Sequence, residues 1–250
     1  ARNGAEKTGT TEIYNCDAVG AAGNGYGSAV SVSNGSTLVM EDNVKIHDCG
    51  STGGTGNAYL RAPVYVEGAK FTMDGGQIYS CKGNDGGAVA LRGSSTFTMN
   101  GGTISGNTAQ NSGAGLFLAG TATATINNGN ITGNNAGICS GAIDVRAGST
   151  LNIKGGTITG NTSAQQGGIG GYGGLGDIYI SGNPQIHDNK FGTTGSNIYI
   201  NDASKLHIGD LDKSARVGVY AESAYSSGNT IAVGTQKAAD IKILNTVWID

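Results

Sequence analysis

The sequence predicts an all-β protein built as a single parallel β-helix, a solenoid with three short strands per rung. Three observations predict it: a phrase returning at a nearly constant interval, period-2 alternation between the returns, and a very high glycine content. The phrase is an isoleucine, two polar or small residues, then Asn or Cys. It ends at Cys16, Cys49, Cys81, Asn107, Asn134, Asn161 and Asn189, so successive returns are 33, 32, 26, 27, 27 and 28 residues apart. Such an interval marks repeats that bury their apolar faces only by stacking on one another. Glycine supplies 46 of 250 residues, well above the usual ~7%, and proline only 2. That balance suits a chain that turns often.

The first strand of each rung follows a Gly-rich turn. It reads Ala29-Val30-Ser31-Val32, Pro63-Val64-Tyr65-Val66, Ala88-Val89-Ala90-Leu91, Gly115-Leu116-Phe117-Leu118, Ala142-Ile143-Asp144-Val145 and Asn197-Ile198-Tyr199-Ile200. Alternation puts Val30, Val64, Val89, Leu116, Ile143 and Ile198 on the inward side. The second strand reads Lys70-Phe71-Thr72-Met73, Thr96-Phe97-Thr98-Met99, Thr123-Ala124-Thr125-Ile126, Thr150-Leu151-Asn152-Ile153 and later Lys205-Leu206-His207-Ile208. The third strand is the isoleucine phrase. Gly75-Gly76, Gly101-Gly102, Asn128-Gly129 and Gly155-Gly156 mark the corner between second and third strands, where positive φ is expected.

About seven regular rungs at roughly 4.8 Å make a core some 35 Å long. Helical bundles are excluded by the period-2 pattern and by glycine, which weakens every helix. The Asn at the end of each phrase should stack into a hydrogen-bonded amide ladder. The regular rungs fill residues 1–210. Residues 211–250, with the only tryptophan, Trp248, form irregular last rungs and a C-terminal cap of the same domain, because an open solenoid end must be covered.

Charged residues are 13% of the chain and the net charge is −3, which argues against nucleic acid as a partner. No apolar run approaches the ~18 residues that cross a bilayer, so direct membrane insertion is not expected. The N-terminus, Ala1-Arg2-Asn3-Gly4, has neither an initiator methionine nor a signal-peptide pattern, and the expectation is a monomeric fragment of a longer, exported protein. Cys16, Cys49 and Cys81 take the slot that Asn fills later and should behave as small buried hydrophobes; a Cys49–Cys81 bridge is the alternative. With no Cys-x-x-Cys pair and no His at ligand spacing, no metal site and no cofactor is expected.

The repeats resemble the right-handed parallel β-helix of the pectate-lyase-like superfamily. They are most similar to adhesin-like repeat regions of large bacterial surface proteins. The likeness rests on Gly86-Gly87-Ala88-Val89, on Ser140-Gly141-Ala142-Ile143, and on the Gly-Gly-Thr-Ile-Ser/Thr-Gly-Asn phrase at 101–107 and 155–161. The resemblance implies a right-handed solenoid at the bacterial cell surface or outside the cell. It implies a partner that is a glycan or a host surface protein, or else a rigid spacer role. For enzymes of this superfamily it implies polysaccharide binding in a groove along the outer face of the first strands.

That face supplies the candidate ligand-binding residues. One outward column is Ser31, Tyr65, Ala90, Phe117, Asp144 and Tyr199; the next is Ser33, Glu67, Arg92, Ala119, Arg146 and Asn201. Within them Tyr65, Glu67, Arg92, Phe117, Asp144 and Arg146 offer rings and charges suited to acidic sugars, and Tyr172 adds a ring nearby. The longer turns at 17–28 and 50–62 carry Tyr26, Tyr59 and Arg61, either as a binding wall or as a shield of the N-terminal end. The bland reading of both columns is solvated decoration of an exposed sheet. No catalytic residue is assigned. Asp144 and Glu67 are the only carboxylates expected on this face, three rungs or about 14 Å apart, beyond the ~5–9.5 Å of glycoside hydrolysis. A non-catalytic binding domain is therefore expected, with a polysaccharide lyase or glycoside hydrolase for acidic polysaccharide as the alternative. His47, His187, Asp48 and Asp188 read as surface residues. Asp42 and Asp74 sit at a corner, and the Thr-x-Thr pairs at 96/98 and 123/125 read as ordinary strand formers.

Overall fold

The computed structural model describes residues 9–16, 29–50, 62–201, 205–221 and 242–244. Almost all the pairing is parallel and in register, as a stacked solenoid requires. The second strands form one seven-stranded sheet, from Thr37–Met40 through Lys70–Met73, Thr96–Met99, Thr123–Ile126, Thr150–Ile153 and Asp177–Gly182 to Leu206–Leu211. The first and third strands form two further faces. They are joined into one sixteen-stranded sheet by the strand Arg216–Ala221. That strand pairs with the third face through Ile186↔Val217 and with the first face through Ile198↔Val219.

The inward columns are the core. Phe71, Phe97, Ala124, Leu151, Ile178 and Leu206 stack in register, and the first two rings lie 5.0 Å apart. Met73, Met99, Ile126, Ile153, Ile180 and Ile208 form the next column, and all of these side chains are buried. Alternation along each strand thus converts into continuous apolar columns that no single rung could bury.

The isoleucine phrase is explained by its backbone. The residue just before each ladder position has positive φ: Asn15, Asp48, Ser80, Gly106, Gly133, Gly160 and Asp188. These are residues that tolerate the left-handed region, and the kink turns the next side chain inward. The corner glycines carry a second constraint. Gly102 has φ of 82°, and a Cβ there would lie 2.7 Å from the Gly76 carbonyl oxygen.

The inward Asn side chains form the expected ladder, all fully buried. Asn134 Oδ1 accepts from the backbone N of Asn107 at 3.0 Å and from its Nδ2 at 2.9 Å. Asn134 Nδ2 donates to Ile104 O at 3.0 Å and to Asn161 Oδ1 at 2.9 Å. Every polar atom of the amide is therefore used. Asn197 closes one end by accepting from Asn189, and Cys81 N donates into Asn107 at the other. Beyond it, Cys49 and Cys81 are buried and Cys16 half-buried, and all are free thiols. The Cys81 thiol points at Ile46 O, the counterpart of the carbonyl each Asn reaches in the preceding rung.

A short fourth segment per rung was not foreseen. Lys82–Asp85, Thr108–Ser112, Asn135–Cys139 and Thr162–Gln165 pair in parallel between the ladder residue and the next first strand, within a six-stranded sheet. Each period-2 signal there is too short and too polar to stand out from a turn. Of the proposed cap, only 211–221 and 242–244 are described, and Trp248 lies outside the described residues.

Candidate functional site

The first face carries the outward columns in the expected register. Tyr65, Ala90, Phe117 and Asp144 are successive partners, and Glu67 pairs with Arg92. Outward does not mean solvated here. Tyr65, Ala90, Phe117 and Asp144 are all buried, and with Ala62 the three apolar ones form a cluster separate from the main core. For these four residues the reading as exposed decoration is corrected, while Ser31 is exposed and Tyr199 half-buried. The cause is the fourth segment: its closing turns fold back over the column. A Cβ at Gly113 would sit 3.1 Å from Asp144 Cβ, and one at Gly86 would sit 3.1 Å from Ala90 Cβ.

The folded-back segments make one wall of a cleft of about 530 Å³, and the first face makes the floor. Asp85, Asn111, Ser112 and Ile138 come from the wall. Arg92, Phe117, Ala119 and Arg146 come from the floor, with Tyr172 at the rim. The Arg92 guanidinium lies 4.9 Å from the Phe117 ring centre and that of Arg146 5.1 Å from it. Arg146 is also 5.2 Å from the ring of Tyr172, which is half exposed. Two cations thus share one buried aromatic ring, a contact worth more when desolvated.

Two carboxyl groups balance them. Asp144 is fully buried and its Oδ1 accepts from Arg146 Nε at 2.5 Å. Burial pushes the Asp144 carboxyl up to about 7, against the lowering effect of Arg146 and of the Tyr172 backbone N–H. Its Oδ2 is closed off from solvent without a well-formed hydrogen bond. Asp85, on the wall, lies 4.0 Å from Arg92. Its carboxyl is also raised by burial, opposed by Arg146 and Arg92. Burial likewise lowers Arg92, which Asp85 counters. Ser112 Oγ is buried on the cleft wall without a partner.

Of the residues expected to form a site, Arg92, Phe117, Asp144, Arg146 and Tyr172 come together. Tyr65 and Glu67 lie further along the same face, where the Tyr65 hydroxyl donates to Glu67 Oε2 at 3.1 Å. Tyr26, Tyr59 and Arg61 lie outside the described residues. Asp85, Asn111 and Ser112 were missed. The expectation of only two carboxylates on this side is corrected by Asp85, which reaches the first face from the fourth segment. Its signal was positional: Asp85, Ser112 and Cys139 are register partners at nearly constant offset from the ladder residue.

Other clusters lie elsewhere. The rings of Tyr14, His47 and Tyr79 stack along the outside of the third face, 5.4 and 4.8 Å apart, which leaves His47 half-buried. At the second corner Asn100 donates to Asp74 and Asn127 to Asn100. Among the described residues no group of three or more His, Cys, Asp or Glu could hold a metal ion.

No curated protein and no solved structure matches the chain. A family model does: the one described as a right handed beta helix region matches residues 4–183, well over half the chain. Periodic sequence, parallel in-register stacking and this match agree, and the chain belongs to the right-handed β-helix family.

Proposed function

We propose that this β-helix is a non-catalytic binding module of a bacterial adhesin-like surface protein, and that it holds an acidic glycan in the Arg92–Phe117–Arg146–Tyr172 cleft. The observation that carries the reading is the pair of guanidinium groups on one aromatic ring, inside a concave site with an unpartnered hydroxyl on its wall. Arginine presents a planar fork to carboxylate, and rings suit the faces of sugars. A glycan array carrying uronic-acid and sulfated oligomers beside neutral ones tests it. Acidic oligomers should bind, and Arg146→Ala should weaken binding at least about tenfold, the worth of one charge-assisted hydrogen bond. Preference for neutral oligomers would refute the assignment.

A polysaccharide lyase or hydrolase is the second reading, favoured by two buried carboxyl groups with raised pKa beside the cleft. Hydrolases set such environments to separate an acid from a base. Asp144, however, lies beneath Arg146 with no exposed surface, which suits positioning the guanidinium better than protonating a substrate. A product assay on uronic-acid polymers separates the two. Turnover establishes the enzyme, binding without turnover the module, and silence in both assays leaves the rigid spacer.

A further inference from the structure

We propose that an anionic ligand entering this cleft takes over Arg146 from Asp144, and that Asp144 picks up one proton from solvent as it does so. Ligand binding and protonation of a buried carboxyl are then one coupled event. This rests on the binding role proposed above and adds its regulation.

The charges require such a coupling. The cleft holds two guanidiniums, Arg92 and Arg146, against two carboxyls, Asp85 and Asp144, so it is neutral when all four are ionised. An added anion makes it negative inside a poorly solvated space, which is costly unless a proton enters. Asp144 is the group placed to receive it. It is completely enclosed, its one ionic partner is Arg146 Nε at 2.5 Å, and its other oxygen is shut away without a well-formed hydrogen bond. Arg146 is about a quarter exposed and faces Phe117, Tyr172 and the cleft with the rest of its fork. A ligand can therefore reach the guanidinium without reaching the carboxyl.

The charged and titratable surroundings agree. Arg146, just past the end of the same strand, lowers the Asp144 pKa, and the backbone N–H of Tyr172 from the rim does the same. Asp85 from the fourth segment raises it. Cys139, also from the fourth segment, has its own thiol pushed up to about 12 by burial and by Asp144, so it stays neutral. Arg92, on the floor strand two rungs from Asp144, lowers Asp85 and is itself opposed by Arg146. With Arg146 engaged by a ligand, the largest force holding Asp144 ionised is lost, and its pKa moves above its resting value near 7. The three histidines, His47, His187 and His207, lie on the third and second faces and not on the floor of the cleft.

Calorimetric titration of the chain with an oligogalacturonate and with a sulfated oligosaccharide, at pH 6 and 8 in buffers of different ionisation enthalpy, tests the coupling. Neither probe titrates in that range. Affinity should be about tenfold tighter at pH 6, with close to one proton taken up per ligand at pH 8. Asp144→Asn should bind with the low-pH affinity at both pH values and take up no proton. Carboxyl carbon resonances of the unsubstituted chain give an independent reading, in which ligand should raise the Asp144 midpoint. Equal affinity at both pH values without proton uptake overturns the coupling and leaves the binding role standing. A pH dependence that survives Asp144→Asn, or a midpoint that ligand does not move, also overturns it. Binding of neither probe at either pH overturns both readings.

Discussion

Replacing Asn134 by alanine tests how much of the stack hangs on the amide ladder. Asn134 makes four hydrogen bonds, with Asn107 N, Asn107 Nδ2, Ile104 O and Asn161 Oδ1. Alanine removes all four. The backbone N–H of Asn107 and one hydrogen of its side-chain amide lose their acceptor in a site with no exposed surface. A buried donor left unsatisfied costs about 1–3 kcal/mol, so two of them and a small void come to roughly 3–5 kcal/mol. Cysteine, the residue found in this slot at 16, 49 and 81, should recover part of the loss: it fills more volume and gives a weak donor, as Cys81 does toward Ile46 O. Urea unfolding followed by far-ultraviolet circular dichroism, with the slope compared among variants, reads the difference. A change below about 1 kcal/mol for Asn134→Ala would show that stacking of the apolar columns alone sets stability, and would refute the role given to the ladder.

Four further outcomes are expected. Stability should fall as pH rises from about 4 to 7, because Asp144 binds its proton more tightly folded than unfolded, where the ordinary value is 3.8; Asp144→Asn should flatten most of this slope in thermal melts and leave the smaller part due to Asp85. Phe117→Ala should cost about 3–5 kcal/mol and abolish glycan binding, measured by unfolding and by array. Gly102→Ala should destabilise by more than ~1 kcal/mol, whereas Gly133→Asn, at a left-handed position with open space around it, should change unfolding by less than that. Cys16 should react first with a thiol reagent, and Cys81 and Cys139, whose thiols burial pushes up to about 12, only on unfolding.

The ladder and columns were legible because a solenoid puts chemically similar residues at the same station of every rung. Asn107, Asn134, Asn161 and Asn189 announce themselves by recurrence, and period-2 alternation placed Phe117 and Asp144 on the correct side of their strands. The cleft was only half legible, for the opposite reason. Asp85, Ser112 and Cys139 occupy one column with three different chemistries, so nothing recurs to mark it. Burial of the outward column escaped as well. Alternation tells which way a side chain points, and what covers it depends on where the turn at Gly113 returns, a tertiary fact set by close backbone approach. Asp144 shows the consequence: placed by alternation on the outer face as a candidate ligand contact, it is the most enclosed carboxyl of the site.

In-register stacking also makes the length of this molecule countable in whole units. Between the rungs that end at Asn107 and Asn134, the pairs Thr96↔Thr123, Thr103↔Asn130, Thr108↔Asn135 and Leu116↔Ile143 are all separated by 27 positions. Excising residues 108–134 would join Asn107 to Asn135, the same junction that Asn134 now makes, and bring every column back into phase one rung shorter. Removing a single residue from a strand would turn that rung's apolar side chains outward. Evolution and engineering can therefore lengthen or shorten this rod by complete turns, and the cleft, which draws on several consecutive turns, sets which of them cannot be spared.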